Sequence, residues 1–251
     1  MKCNLTIRVF LCALMGFAMS AAAVVITDPL YRAEVFATYS NPAIEATSSG
    51  IVFDDQGNLY ISHISGHVYK VAPNRNATLF AKNTGAIRDM VWTGGTVYGN
   101  EFYVSSPSDN LIKKIDRNGT ITDFATIERG PVALELDRIG KYGGLLFSGM
   151  NVRDRIDYVL PNGSNALFSP FPYNNIGGVE GLAFDPGSRY GGLLYTGIFS
   201  NDAASYRGVY SIDPLGNPVK FSQNLAWAQQ IEFDLGVDFG GFMFVIGANV
   251  L

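Results

Sequence analysis

Four stretches of the chain share one pattern of apolar and polar positions: YKVAPNRNATLFA (69–81), KKIDRNGTITDFA (113–125), DYVLPNGSNALFS (157–169) and YSIDPLGNPVKFS (210–222). Each has an apolar residue in third place (Val71, Ile115, Val159, Ile212). Each then has a Pro/Asp/Asn/Gly turn and ends on Phe-Ala or Phe-Ser. Alternation on both sides of a turn predicts a β-hairpin, because strand side chains point to opposite faces in succession and Asn and Gly accept positive φ. The ending occurs once more, early, in EVFAT (34–38). The five phenylalanines, Phe36, Phe80, Phe124, Phe168 and Phe221, stand 44, 44, 44 and 53 residues apart.

A second phrase fills the space between the hairpins. It reads GIVFDDQGNLYIS (50–62), MVWTGGTVYGNEFYVSS (90–106), VALELDRIGKYGGLLFSG (132–149), GLAFDPGSRYGGLLYTG (181–197) and IEFDLGVDFGGFMFVIG (231–247). Each copy is an apolar strand, an Asp- or Gly-containing turn and a second apolar strand. An aromatic sits near the middle of the second strand: Tyr60, Tyr103, Phe147, Tyr195 and Phe244. Two strands from each phrase make a four-stranded unit of about 40–50 residues, the signature of a β-propeller blade. Near-continuous apolar runs fit inner strands buried on both faces. A β-solenoid repeats over fewer residues, and a β-sandwich does not repeat its own sequence. The predicted fold is therefore all-β, a propeller. The fourth unit is longer, and most of its extra length lies in IFSNDAASYRG (198–208), which predicts a long loop.

The ends do not match this pattern. YRAEVFATYS (31–40) resembles only the fourth, outer strand of a blade, which suits a strand that closes the ring by joining the last blade. The last unit has only its first two strands. The count is one outer strand, four full blades and a partial blade. That predicts a fragment of a six-bladed ring; the alternative is a five-bladed ring with an incomplete last blade.

Composition agrees with a folded core: of 251 residues, 47% are hydrophobic, 16% charged and 13% aromatic, with 28 Gly. The first 23 residues read as an export signal, leaving 24–251 as the propeller domain. Lys2 and Arg8 precede the short apolar run Val9–Met19, and Ser20–Ala23 supply small residues for cleavage. The run is too short to span a bilayer, and no other segment is long and apolar enough. Cleavage predicts a secreted or periplasmic protein. It removes Cys3 and Cys12, the only cysteines, and leaves 16 basic and 22 acidic residues. A net acidic chain without a basic cluster argues against a nucleic-acid partner.

GIVFDDQGNLYISHISGHVYKV resembles the NHL-type repeat in its Gly-Ile-hydrophobic-Asp, Gly-Asn-hydrophobic-Tyr and His-hydrophobic-Tyr-Lys-Val elements. VEGLAFDPGSRYGGLLYTG resembles blades of the six-bladed TolB-like and gluconolactonase-related superfamily. The likeness covers Gly50 to Leu251 as a pattern, and only the first blade is close to NHL. It implies a fold, not an activity.

Propeller sites usually lie at the mouth of the central channel. Five residues before Asp54, Thr93, Asp137, Asp185 and Asp234 stand Ser49, Arg88, Val132, Glu180 and Gln229; one step on stand Gly50, Asp89, Ala133, Gly181 and Gln230. Ser49, Arg88, Asp89, Glu180 and Gln229 are the channel-mouth candidates. The resemblance implies a divalent cation such as calcium, because gluconolactonase-like propellers hold one on channel carboxylates and amides, and Glu180-Gly181 resembles their blade-opening pair. Arg88, Val132 and Ser49 stand where the resemblance would place further oxygen ligands; Glu180 is the metal candidate, with Asp89 and Gln229 as side chains that could help. Asn174 and Asn175 lie just upstream.

Other candidates have simpler readings. The repeated aspartates suit turns that each blade needs, and Gly143-Gly144, Gly191-Gly192 and Gly240-Gly241 enter strands rather than helices. His63 and His67 read as structural. Asn76, Asn118 and Asn162 open glycosylation-type triplets that coincide with turns. There is no Gly-x-Ser-x-Gly elbow and no His-Glu-x-x-His pattern. The first expectation is an exported binding or scaffold propeller that presents loops to a carbohydrate, peptide or protein. Its loop candidates are Phe199, Asn201, Asp202 and Tyr206. The second is a metal-dependent lactonase or hydrolase of the gluconolactonase type. A quinone-dependent dehydrogenase shares only the architecture.

Overall fold

The computed structural model describes residues 48–82, 84–150, 155–171, 177–187, 189–200, 206–222, 225, 227–234 and 241–248. Blade one comprises β1 (Ser48–Phe53), β2 (Leu59–His63), β3 (Val68–Val71) and β4 (Ala77–Ala81). Blade two comprises β5 (Met90–Trp92), β6 (Phe102–Ser106), β7 (Leu111–Ile115) and β8 (Ile121–Thr126). Blade three comprises β9 (Pro131–Leu136), β10 (Leu146–Met150), β11 (Arg155–Val159) and β12 (Asn165–Pro170). Blade four comprises β13 (Gly177–Phe184), β14 (Leu194–Ser200), β15 (Gly208–Ile212) and β16 (Pro218–Lys220), and the partial fifth comprises β17 (Trp227–Phe233) and β18 (Met243–Ala248). Every sheet is an antiparallel meander in chain order. The four full sheets and the partial one form a β-propeller, as the repeat predicts. The export signal and residues 31–40 lie outside the described residues. No helix among the described residues is long and apolar enough to cross a membrane.

The regularly spaced phenylalanines take one role four times. Each sits at the outer strand and meets its blade's middle aromatic edge to face. Tyr60–Phe80 centroids are 4.9 Å apart, Tyr103–Phe124 4.7 Å, Phe147–Phe168 4.9 Å and Tyr195–Phe221 5.2 Å. Such a pair adds about 0.5–1.5 kcal/mol to the burial of its rings. In the first three blades the pair joins a cluster that includes the next blade's inner strand: Trp92, Leu136 and Phe184 are the incoming residues.

The turn aspartates also repeat one geometry. Asp54 Oδ1 accepts from the N–H groups of Gln56 and Asn58. Asp137 Oδ2 accepts from Tyr142 and Gly144, Asp185 Oδ2 from Tyr190 and Gly192, and Asp234 Oδ2 from Gly241. Thr93 substitutes in blade two, its hydroxyl donating to the carbonyls of Gly99 and Glu101. The aspartates hold turns together, as the once-per-blade spacing implies.

Neighbouring blades are stitched by tyrosines from those turns. The Tyr98 hydroxyl donates to the Val159 carbonyl and accepts from Leu146 N–H, the pair that opens the β10–β11 ladder. Tyr142 does the same one blade on, with Ile212 and Leu194. Tyr190 accepts from Met243 N–H of the fifth blade. Between blades one and two the link is ionic: Arg117 contacts Asp55 at 2.9 Å and lies 4.8 Å over the Trp92 ring. At the outer rim, the hairpin glycines Gly119, Gly163 and Gly216 have positive φ, and a Cβ on any of them would overlap the carbonyl oxygen of Phe80, Phe124 or Phe168 in the preceding blade.

Candidate functional site

The inner strands of all five blades surround a cavity of about 540 Å³. Their strand order places it on the ring axis. Asp89, Glu135 and Glu232 bring three carboxylates to its wall, with Trp92, Arg138 and Gln230 among the other lining residues.

Asp89 is held by backbone. Its Oδ1 accepts from Met90 N–H at 2.7 Å and its Oδ2 from Leu134 N–H of blade three at 2.8 Å. Its own N–H donates to the Ser105 hydroxyl. Burial nevertheless pushes its carboxyl up to about 7, against those two hydrogen bonds. Burial likewise pushes Glu135 up to about 8; the negative charges of Asp89 and Glu232 add to it, and the Leu136 N–H and Arg138 oppose it. Glu232 is exposed at the cavity wall, yet the protein around its carboxyl partly desolvates it and raises its pKa too, against a 3.1 Å hydrogen bond from the Gln230 amide. Near neutral pH the cluster therefore holds protons as well as charge.

Glu135 and Glu232 occupy the same place in their blades. Each lies two residues before the turn aspartate and opposite the middle aromatic, Phe147 and Phe244. The other blades have Val52, Val91 and Ala183 there, opposite Tyr60, Tyr103 and Tyr195. The sequence signal was a lone acid inside an apolar strand.

The mouth candidates divide between the wall and the rim. Ser49 and Asp89 line the cavity, and the Ser49 hydroxyl lies 3.1 Å from that of Ser62. Arg88 and Glu180 form an ion pair at 3.5 Å. Arg88 immediately precedes the inner strand of blade two and Glu180 lies in that of blade four, so the pair links two non-adjacent blades. Gln229 is exposed, and its carbonyl lies against Gly181.

The donor set at Glu180 does not fit a divalent cation. Its neighbour is a guanidinium, and among the described residues no three His, Cys, Asp or Glu side chains gather to hold a metal. His63 is buried with its ring 5.6 Å from that of Tyr69, and burial lowers its pKa; His67 Nδ1 lies 3.1 Å from the Ser65 hydroxyl. Of the loop candidates, Phe199 falls in β14 and Tyr206 accepts from the Tyr210 hydroxyl at its carbonyl. Asn201 and Asp202 lie outside the described residues, as do Asn174 and Asn175.

No family model matches the chain, and no curated protein matches it. Solved structures do. Virginiamycin B lyase from Staphylococcus aureus aligns with a TM-score of 0.56 at 14% identity, over 73% of this chain and 59% of that one. The chain is similar in fold to β-propellers. A putative gluconolactonase aligns with a TM-score of 0.57 at 15% identity, over 80% of this chain and 71% of its own. A gluconolactonase from Xanthomonas campestris aligns with a TM-score of 0.60 at 14% identity, over 85% and 72%. The likeness is one of fold: at these identities the lyase and lactonase activities stay with the proteins that carry them.

Proposed function

We propose that the protein is an exported ligand-binding propeller whose ligand sits in the central channel. The observation that carries this reading is the axial cavity to which all five inner strands contribute, with its only described carboxylates drawn from blades two, three and five. Pockets of several hundred Å³ with a few convergent polar groups are the usual form of a small-molecule site. Three carboxylates favour a ligand with a positive group, such as an amine-bearing sugar or peptide, over an anion. Ile51, Val52 and Val91, which line the cavity and keep part of their side chains exposed, give its apolar part a surface.

A lactonase with its metal on Glu180 has less support, because Arg88 already engages that carboxylate. If that reading holds, calcium raises the thermal midpoint of the wild type and Glu180→Gln abolishes the rise.

Thermal-midpoint titrations with spermidine as a cationic probe test the binding reading. Ligand that binds only the folded state raises the midpoint with concentration. With Asp89 at about 7 and Glu135 at about 8, the wall is more negative at high pH, so the rise is larger near pH 9 than near pH 6. The Glu135→Gln/Glu232→Gln double variant loses it. A midpoint indifferent to spermidine, or a rise undiminished in the double variant, contradicts the reading.

A further inference from the structure

The channel wall carries carboxyl groups in unlike surroundings. Glu135 and Glu232 hold equivalent places on blades three and five, and both line the cavity. Glu135 is half-buried. Its Oε1 accepts from Leu136 N–H at 3.2 Å, and its carboxyl has no other hydrogen bond among the described residues. Glu232 is exposed at the wall and is oriented by the Gln230 amide at 3.1 Å. Asp89 is the rigid member, with one oxygen on Met90 N–H and the other on Leu134 N–H. Among the described residues no three His, Cys, Asp or Glu side chains gather to hold a metal. The three carboxyls therefore stand around the cavity rather than at one point. In about 540 Å³ that arrangement leaves room among them for a bond of the ligand and a water molecule.

We propose that this cavity hydrolyses a glycosidic bond of an amine-bearing sugar, with Glu135 as proton donor, Glu232 as proton acceptor and Asp89 as a fixed negative charge; this rests on the channel being the ligand site. Acetal cleavage needs a proton for the departing oxygen and a base for the attacking water. It also needs a negative field for the positive charge that develops at the anomeric carbon. In the step, Glu135 gives its proton to the glycosidic oxygen as the bond from that oxygen to C1 breaks. Water forms the new bond to C1 and passes a proton to Glu232. The products are a reducing sugar and an alcohol. Exchange with solvent then returns a proton to Glu135 and takes one from Glu232.

Unlike surroundings suit unlike roles, because the more enclosed carboxyl keeps its proton longer. Burial holds Glu135 up at about 8; Asp89 and Glu232 add to this, and the Leu136 N–H and Arg138 oppose it. Glu232, the exposed acid, ionises first.

Incubation of the unmutated protein with a β-1,4-linked glucosamine hexamer, read by mass spectrometry, tests the assignment. Shorter oligomers are expected, with a bell-shaped pH profile whose alkaline limb falls near about 8. Glu135→Gln is expected to cut the hexamer about 100-fold more slowly or worse. It is expected to lose much less on a 2,4-dinitrophenyl glucosaminide, whose leaving group departs without a proton; a merely structural defect would slow both alike. The thermal midpoint with the same hexamer separates hydrolysis from binding. A raised midpoint without cleavage overturns hydrolysis and leaves the binding site standing. No cleavage and no rise with either the hexamer or spermidine overturn both. Cleavage undiminished in Glu135→Gln overturns the proton donor, and an equal rate on the N-acetylated hexamer overturns the substrate class.

Discussion

Single residues in the channel set its response to pH. Glu135 has a folded pKa above its unfolded value, so the folded state holds a proton that the unfolded state has lost across the window from about 4 to about 8. Stability is therefore highest below that window and falls as pH rises through it, on the order of 1 kcal/mol per unit. Glu135→Gln removes the titration. Its thermal midpoint should match the wild type near pH 4 and exceed it near pH 8 by about 2–4 °C for each kcal/mol recovered. A midpoint–pH curve of the same slope in both proteins would show that Glu135 titrates normally. A second contrast concerns glycine. Gly163 and Gly57 both have positive φ, but a Cβ on Gly163 meets the Phe124 carbonyl, and one on Gly57 meets nothing within 4 Å. Gly163→Ala should cost more than Gly57→Ala, which costs only the backbone penalty of about 1 kcal/mol; urea denaturation of both variants measures the difference.

At the scale of strands and turns, local pattern and distant contact separate. The hairpins, the turn aspartates and the repeated places of the phenylalanines and middle aromatics were legible in the sequence because each is a short-range pattern written once per blade; that each phenylalanine meets its blade's aromatic edge to face was not. The turn tyrosines were not. Tyr142 lies 52 residues from Leu194 and 70 from Ile212, and nothing local marks its hydroxyl as a clamp. Tyr142→Phe leaves both backbone groups without that partner and should cost about 1–3 kcal/mol by denaturant unfolding; an unchanged midpoint would deny the clamp a role in stability. Glu135 and Glu232 escaped notice for a related reason. Counting from strand starts located the rim, where Arg88 and Glu180 meet, but the cavity wall is set by the strand middles. An acid there reads as an ordinary polar alternation until the inner strands are arranged around one axis. The Arg88–Glu180 pair is partly solvated, so Arg88→Ala should alter stability by less than about 1 kcal/mol.

The whole molecule combines a repeated scaffold with unrepeated chemistry. Four full sheets and a partial one put equivalent positions of their inner strands around one cavity, and the copies differ where that cavity is lined. Repetition thus made the architecture readable, while the site rests on the exceptions: Glu135 and Glu232 in place of small or branched apolar residues, and Asp89 bridging two blades. The most direct test of the channel as a binding site is calorimetric titration of the unmutated protein with spermidine near pH 7.5, in two buffers of different ionisation heat. Capture of a cation among partly protonated carboxylates predicts one site per chain and an observed heat that differs between the buffers, because Asp89 and Glu135 release protons as the cation arrives. Absence of binding heat, or a heat identical in both buffers, would contradict the account.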